Sequence, residues 1–245
     1  MVNIIHHLPG ASVHDQEAIE FFRSQWTLYS RLVSHNQLFH REVREKIRGV
    51  LRQDFVAPVR VLDLACGDAS VMVSTLTGLP VARYHGVDLA EPALEMAAEN
   101  LEVLGCELEL EQADFIEALR ERPECADFVW IGLSLHHLDT GDKLELLREI
   151  RAVLDPSGRL MIYDPTIPDD EDLTTFHLRE EAIVRDRWSM LTDTELEAVV
   201  RHIHGNDLPE TVSDTIAMGQ EAGFASVEQL YVSPTNIYRL FVYRP

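Results

Sequence analysis

The chain has 245 residues, enough for one α/β domain with additions, and its 46% hydrophobic and 26% charged residues are those of a globular protein. Forty-two acidic against 21 basic residues give a net charge of −21, which opposes a phosphate-backbone partner, so no nucleic-acid binding is expected. No apolar run approaches a membrane span, and Met1–His7 lacks the basic-then-apolar order of a secretory signal, so no membrane partner and a cytoplasmic location are expected. Cys66, Cys106 and Cys125 show neither metal nor disulfide spacing, which suits a reducing compartment.

In chain order, His6 and His7 stand at an end expected to be mobile. Ile19, Phe22, Trp26, Tyr29 and Val33 then recur at helical spacing, and Phe39, Val43, Ile47 and Val50 make a second stripe. Residues 1–54 therefore read as a helical extension. Tyr29, His35, Asn36 and His40 flank the break between its helices, where a lid would meet a cleft. Val59–Leu64 reads as a strand that ends next to Asp63 and runs into the small-residue turn Ala65-Cys66-Gly67-Asp68-Ala69 and a helix. Such a junction lets backbone approach a ligand and aims helix N–H groups at it. A carboxylate at this strand tip repels a pyrophosphate but accepts hydrogen bonds from an ammonium group.

Tyr84–Leu89 reads as a second strand with Asp88 at its tip, where a carboxylate faces the ribose hydroxyls of a nucleoside in a doubly wound sheet. Glu91-Pro92 opens a helix with the apolar face Leu94, Ala97, Ala98, Leu101 and Leu104, and Gly105 ends it. Cys106–Leu110 is a third strand, followed by Glu111-Gln112-Ala113-Asp114-Phe115. Ala126–Leu133 is a fourth, leading into Ser134-Leu135-His136-His137-Leu138 and a helix around Leu146, Leu147, Ile150 and Val153. Leu154–Gly158 reads as a turn before a fifth strand, Arg159–Tyr163.

Residues 55–165 resemble, in order, the class I S-adenosylmethionine-dependent methyltransferases. The segment from Asp63 to Ala69 is similar to the family's first motif, D/E-x-G-x-G-x-G, with Ala65 and Ala69 in place of two glycines and Gly67 retained. The resemblance implies a Rossmann-like seven-stranded sheet of order 3-2-1-4-5-7-6, with strand 7 antiparallel and helices on both faces. It implies S-adenosylmethionine as cofactor, leaving S-adenosylhomocysteine. Asp63 would face the amino-acid end, Asp88 the ribose and Asp114 the adenine amino group, while the Phe115 N–H would meet a ring nitrogen. Ala65, Cys66, Gly67, Leu89 and Leu133 complete the expected cofactor set. A nicotinamide dehydrogenase fits poorly, because G-x-G-x-x-G needs three glycines where this turn has one.

The strand-four loop narrows the acceptor. Relatives that act on base amines or glutamine amides carry Asn/Asp/Ser-Pro-Pro-aromatic there, whereas this chain has Ser134-Leu135-His136-His137. A small-molecule acceptor methylated on O or N is expected, with carbon possible. His136 and His137 are the candidate proton acceptors, since they follow strand four and imidazole titrates near neutral pH. Two rivals use the same cofactor site: non-methyl transfer (aminopropyl or carboxymethyl-cofactor chemistry) and non-catalytic cofactor binding.

The domain at 55–245 is expected to carry a helical insertion at 166–209 that lids the acceptor pocket. Thr192 and Glu195 match a capping box before Leu196, Val199, Val200 and Ile203, and Asp169–Asp172 reads as a solvated loop. His202 and His204, two residues apart on a helix, diverge, so no metal is expected. A last helix from near Thr211 to Gly223 and two strands, Val227–Tyr231 and Ile237–Tyr243, finish the sheet.

Overall fold

Strand residues here alternate between two apolar layers, which places the sheet in the middle of the molecule. Phe128, Trp130, Met161, Tyr163, Leu240 and Val242 face one layer, while Val129, Ile131, Leu160, Ile162, Phe241 and Tyr243 face the other. A computed structural model describes residues 3–6, 28–120 and 125–245. Its strands are β1 (Asn3–His6), β2 (Val59–Leu64), β3 (Val81–Asp88), β4 (Glu107–Gln112), β5 (Ala126–Gly132), β6 (Leu154–Pro165), β7 (Ser226–Val232) and β8 (Tyr238–Arg244). The helices are α1 (described over residues 28–34), α2 (His40–Asp54), α3 (Ser70–Leu76), α4 (Glu91–Leu101), α5 (Phe115–Arg120), α6 (Thr140–Val153), α7 (Leu173–Arg187), α8 (Asp193–Asn206) and α9 (Val212–Glu221). Among the described residues no helix is long and apolar enough to cross a membrane.

The sheet runs β1-β4-β3-β2-β5-β6-β8-β7. Pairs from β1 to β6 are parallel, and β8 is antiparallel to both β6 and β7. Without β1 this is the expected order 3-2-1-4-5-7-6 with its last strand reversed. Helices α2, α3, α4, α7 and α8 supply the first layer; α5, α6 and α9 supply the second.

Three expectations need correction. Asn3–His6, read as part of a mobile end, pairs with Glu109–Gln112 as an eighth, edge strand. Leu154–Gly158 is not a turn before the fifth strand but the irregular start of β6, whose register with β5 shifts between Ala126 and Phe128. Asp169–Asp172 is more than a solvated loop, because it organises the insertion. Asp172 caps α7 by accepting the Thr175 N–H at 2.8 Å, Asp169 accepts the Ser213 N–H at 2.8 Å and Glu171 pairs with Arg179. Helix α7 escaped notice because its buried face is Phe176, His177, Glu180 and Val184, half of it polar, so no apolar period marks it. The Thr192–Glu195 capping box is present at the start of α8. The Ile19–Trp26 part of the first stripe and His7 lie outside the described residues.

The turn after β2 shows why two alanines can stand where the family has glycine. Ala65, Gly67 and Ala69 all take left-handed backbone, with φ of 58°, 55° and 56°. For a non-glycine residue that conformation costs roughly 1–2 kcal/mol, partly offset by the lower unfolded-state entropy of alanine. The turn geometry is therefore kept against local preference. Ala65→Gly is expected to raise the urea midpoint, by about 0.5 kcal/mol in stability, whereas Ala65→Val lowers it by more than about 1 kcal/mol, since a β-branched side chain tolerates this region least. Equal midpoints for all three proteins would contradict a strained turn.

Candidate functional site

The C-terminal ends of β2, β3 and β5 open onto one cavity of about 410 Å³, the location at which open α/β sheets bind ligands. Asp63 is 2% exposed near the end of β2, and the Tyr84 hydroxyl donates to its Oδ2. Burial pushes this carboxyl up to about 8, with Asp88 and Asp68 adding to the rise and the Tyr84 hydrogen bond opposing it. Asp63 therefore lines the cavity as a carboxyl whose ionisation is held back by burial. The next carboxylate has a second duty. Asp88 accepts the Gly67 N–H at 2.8 Å and the Ala90 N–H at 2.9 Å, so the tip of β3 holds the turn after β2 in place. Burial still moves Asp88 upward against those bonds. Asp114 accepts the Ile116 N–H at 2.9 Å and so starts α5 at the third strand tip.

Cys66, in the turn, is buried and its thiol is pushed up, mainly by burial and then by Asp63 and Asp88. It stays a thiol and acts as a small turn residue rather than a nucleophile. Leu133, just past β5, has φ of 56° and donates its N–H to Tyr163 O at 2.8 Å. A bulky residue in that region is an outlier sustained by its surroundings, and here it stands on the cavity wall.

The opposite end of the cavity is closed from the N-terminal helices. Tyr29 Oη and His40 Nε2 lie 3.2 Å apart, and the His40 ring meets Tyr163 edge-on at 6.1 Å. His40 is pushed down to about 4 by burial and is neutral at physiological pH. His137 lines the cavity, while His136 lies behind it, 7% exposed, with its Nδ1 2.9 Å from Asp164 Oδ1.

Of the residues anticipated from sequence, Asp63, Ala65, Cys66, Gly67, Asp88, Leu89, Asp114, Phe115 and Leu133 all line this cavity, as do Tyr29, His40 and His137. His136 stands one layer back. His35 and Asn36 are outside the lining. His35 is exposed, and Asn36 ties the turn before α2 by donating to Glu42 Oε2 at 2.9 Å and accepting the Arg41 N–H at 3.0 Å. Asp68, Val71, Met72, Trp130, Gly132, Ser134 and Leu138, which the sequence reading does not assign to the site, complete the wall. For Trp130 a signal existed: it shares strand parity with Phe128, the set that faces the larger apolar layer.

The residues fit S-adenosylmethionine: a buried carboxyl for its ammonium, a strand-tip carboxylate for its ribose, and apolar Leu89 and Phe115 for the flat base. The comparisons agree. The family described as "Methyltransferase domain" matches residues 61–158. The ubiquinone/menaquinone biosynthesis C-methyltransferase UbiE of Escherichia coli is 31% identical over 173 residues, 69% of this chain and 67% of that one. A demethylmenaquinone methyltransferase of Thermus thermophilus is 31% identical over 140 residues, 57% of this chain and 60% of its own length. Among solved structures, an O-methyltransferase family protein from Burkholderia thailandensis superposes with a TM-score of 0.63 at 22% identity, covering 94% of this chain and 60% of that one. The chain thus spans about 60% of the length of the last two proteins. Fold, motif order and a relative of this identity and coverage lead to one conclusion: the chain belongs to the class I S-adenosylmethionine-dependent methyltransferases and uses S-adenosylmethionine as its cofactor.

Proposed function

We propose that this enzyme methylates an oxygen or nitrogen atom of a small, flat metabolite that carries no strong negative charge. One observation carries the reading: a single cavity holds the three strand-tip carboxylates at one end and Tyr29, His40 and His137 at the other. Among the described residues its lining includes Asp63, Asp68, Asp88 and Asp114 but no lysine or arginine. A polyanion or a phosphorylated acceptor would find no counter-charge there. Tyr29, Trp130 and Leu138 offer flat or apolar walls to an aromatic ring.

The bound cofactor supplies a methyl carbon already made electrophilic by its sulfonium. What the protein adds is mostly placement, because holding two reactants in line replaces a bimolecular encounter. Asp63 takes the ammonium group, Asp88 the ribose hydroxyls, Asp114 the adenine amino group, and the Phe115 N–H a ring nitrogen. His137 is the histidine in contact with the acceptor end; His136 positions it from behind. Tyr29 and His40 form a neutral, hydrogen-bonding lid that excludes water.

Carbon methylation of a quinol-like ring is the second reading, favoured by the names of the Thermus thermophilus and Escherichia coli relatives. Incubation with S-adenosylmethionine and a panel of phenols, aromatic amines and quinols, followed by mass and NMR analysis of the products, separates the two. Formation of S-adenosylhomocysteine with no member of a broad panel would instead support a binding protein without turnover.

Two outcomes follow for the cofactor end. By calorimetry S-adenosylhomocysteine should bind the wild type and bind Asp88→Ala at least tenfold more weakly, a loss of about 1.4 kcal/mol or more. Asp88→Asn, which keeps an oxygen for one of the two backbone N–H groups, should fall between them; no binding to the wild type would overturn the reading. The Asp63 carboxyl, held near 8, must lose a proton to take the ammonium. Cofactor affinity should therefore rise with pH from about 6 to 7.5, by at most tenfold per unit, before the ligand's own amine titrates at about 7.7–8.0. Calorimetry in buffers of different ionisation enthalpy should show proton release that disappears in Asp63→Asn. A flat profile with no proton exchange in the wild type would remove Asp63 from the ammonium site.

A further inference from the structure

Behind the acceptor wall, three imidazoles surround one carboxylate oxygen, and a ligand atom each of His136, His137 and Asp207 lies within 4.8 Å of the other two. His136 and His137 come from the short 3₁₀ turn after β5, His202 from α8, and Asp207 from the residue that ends α8. Asp207 Oδ1 lies 3.7 Å from His136 Nε2, 3.6 Å from His137 Nδ1 and 3.4 Å from His202 Nε2. That oxygen is buried, in a residue only 6% exposed, and it has no hydrogen-bond partner. A buried carboxylate oxygen left unpaired among three nitrogens is costly unless something else satisfies it.

The spacing says what that is. These separations are too long for good hydrogen bonds; two of them match, and the 3.7 Å to His136 lies just beyond, the edge of a tetrahedron around an ion with bonds of about 2.0–2.2 Å, roughly 3.3–3.6 Å. The surroundings agree on two further counts. Asp164 Oδ1, 2.9 Å from His136 Nδ1, fixes the tautomer that leaves Nε2 bare toward Asp207, the outer arrangement that metal-binding histidines use. Glu180 brings a third buried carboxylate next to His136 and Asp207, and its Oε2 also lacks a hydrogen-bond partner. The guanidinium acting on Glu180, Arg179, is already engaged with Glu171.

We propose that His136, His137 and Asp207 form a binding site for a divalent transition cation of the zinc type, with His202, 3.4 Å from Asp207, supplying the fourth ligand by a side-chain rotation when the ion binds. Imidazole and carboxylate ligands in a four-fold arrangement suit zinc or cobalt rather than magnesium or calcium. His202 and His204 do diverge, as their spacing on the helix requires: His204 Nε2 lies 2.8 Å from Glu181. The neighbours of His202 in the cluster are instead Asp207 and, from the turn after β5, His137. A cation here ties the insertion to the wall of the acceptor cavity. Coordination through Nδ1 leaves His137 with a protonated Nε2, so it serves as a hydrogen-bond donor to the acceptor rather than as a base. The site stands independently of which acceptor is methylated.

The test is titration of the tag-free full chain with Zn²⁺ alone, followed by calorimetry and by melting temperature with and without a chelator. One ion per chain is expected, with affinity falling at least tenfold in Asp207→Asn and in His202→Ala and unchanged in His204→Ala. Because His202 is half exposed on α8, its variant tests the site even if the Asp207 variant folds poorly. Co²⁺ in place of Zn²⁺ should give the strong visible bands of four-coordinate cobalt. Absence of saturable one-ion binding would overturn the proposal. So would binding that survives Asp207→Asn but falls with His204→Ala, the signature of a surface histidine pair, or a six-coordinate cobalt spectrum.

Discussion

The hydrogen bond from the Gly67 N–H to Asp88 Oδ2, 2.8 Å long, joins two adjacent strand tips, and the cofactor end of the molecule depends on it. It holds a turn in which Ala65, Gly67 and Ala69 are all left-handed, a shape that two alanines would not choose alone. The parallel pairing of β2 with β3 fixes both sides of this bond, and the apolar layers on either face fix the sheet. Local strain at the site is thus sustained by packing elsewhere. The same carboxylate that organises the turn also lines the cavity.

Under the proposed function, carboxyl groups at a low-dielectric strand edge carry both the selectivity and the pH response of this cavity. Asp63 is buried and raised, Asp88 is buried and bonded to backbone, and Asp114 caps a helix. Such a set repels phosphates and welcomes an amine, which sets it apart from a dinucleotide site on a similar sheet. At the acceptor end the groups are of another kind: neutral Tyr29 and His40, and His137 backed by a buried polar cluster. One end thus selects by charge, and the other by shape and hydrogen bonding.

How much of this could be read from residues varies with how local the cause is. β2 ends where expected and the three acidic tips were legible, because a carboxylate after an apolar strand needs no distant information. The positions of the motif alanines were legible too, but not that they keep the glycine backbone. β1 was not, since a four-residue strand owes its state to pairing with β4 rather than to its own pattern. His35 and Asn36 were placed near the cleft by sequence, yet the side chain of Asn36 turns to Glu42 and Arg41, contacts that only the folded turn defines. His136 and His137 looked alike in sequence. What separates them is Asp164, 28 residues from His136, which draws His136 inward while His137 stays on the cavity wall.

A crystal structure of the complex with S-adenosylhomocysteine tests the central claim most directly. The account predicts the ribose hydroxyls on Asp88, the ammonium group on Asp63 and the base between Leu89 and Phe115, with the sulfur directed at His137 and Tyr29. A nucleoside bound elsewhere on the sheet edge, or an ammonium group with no contact to Asp63, would contradict it.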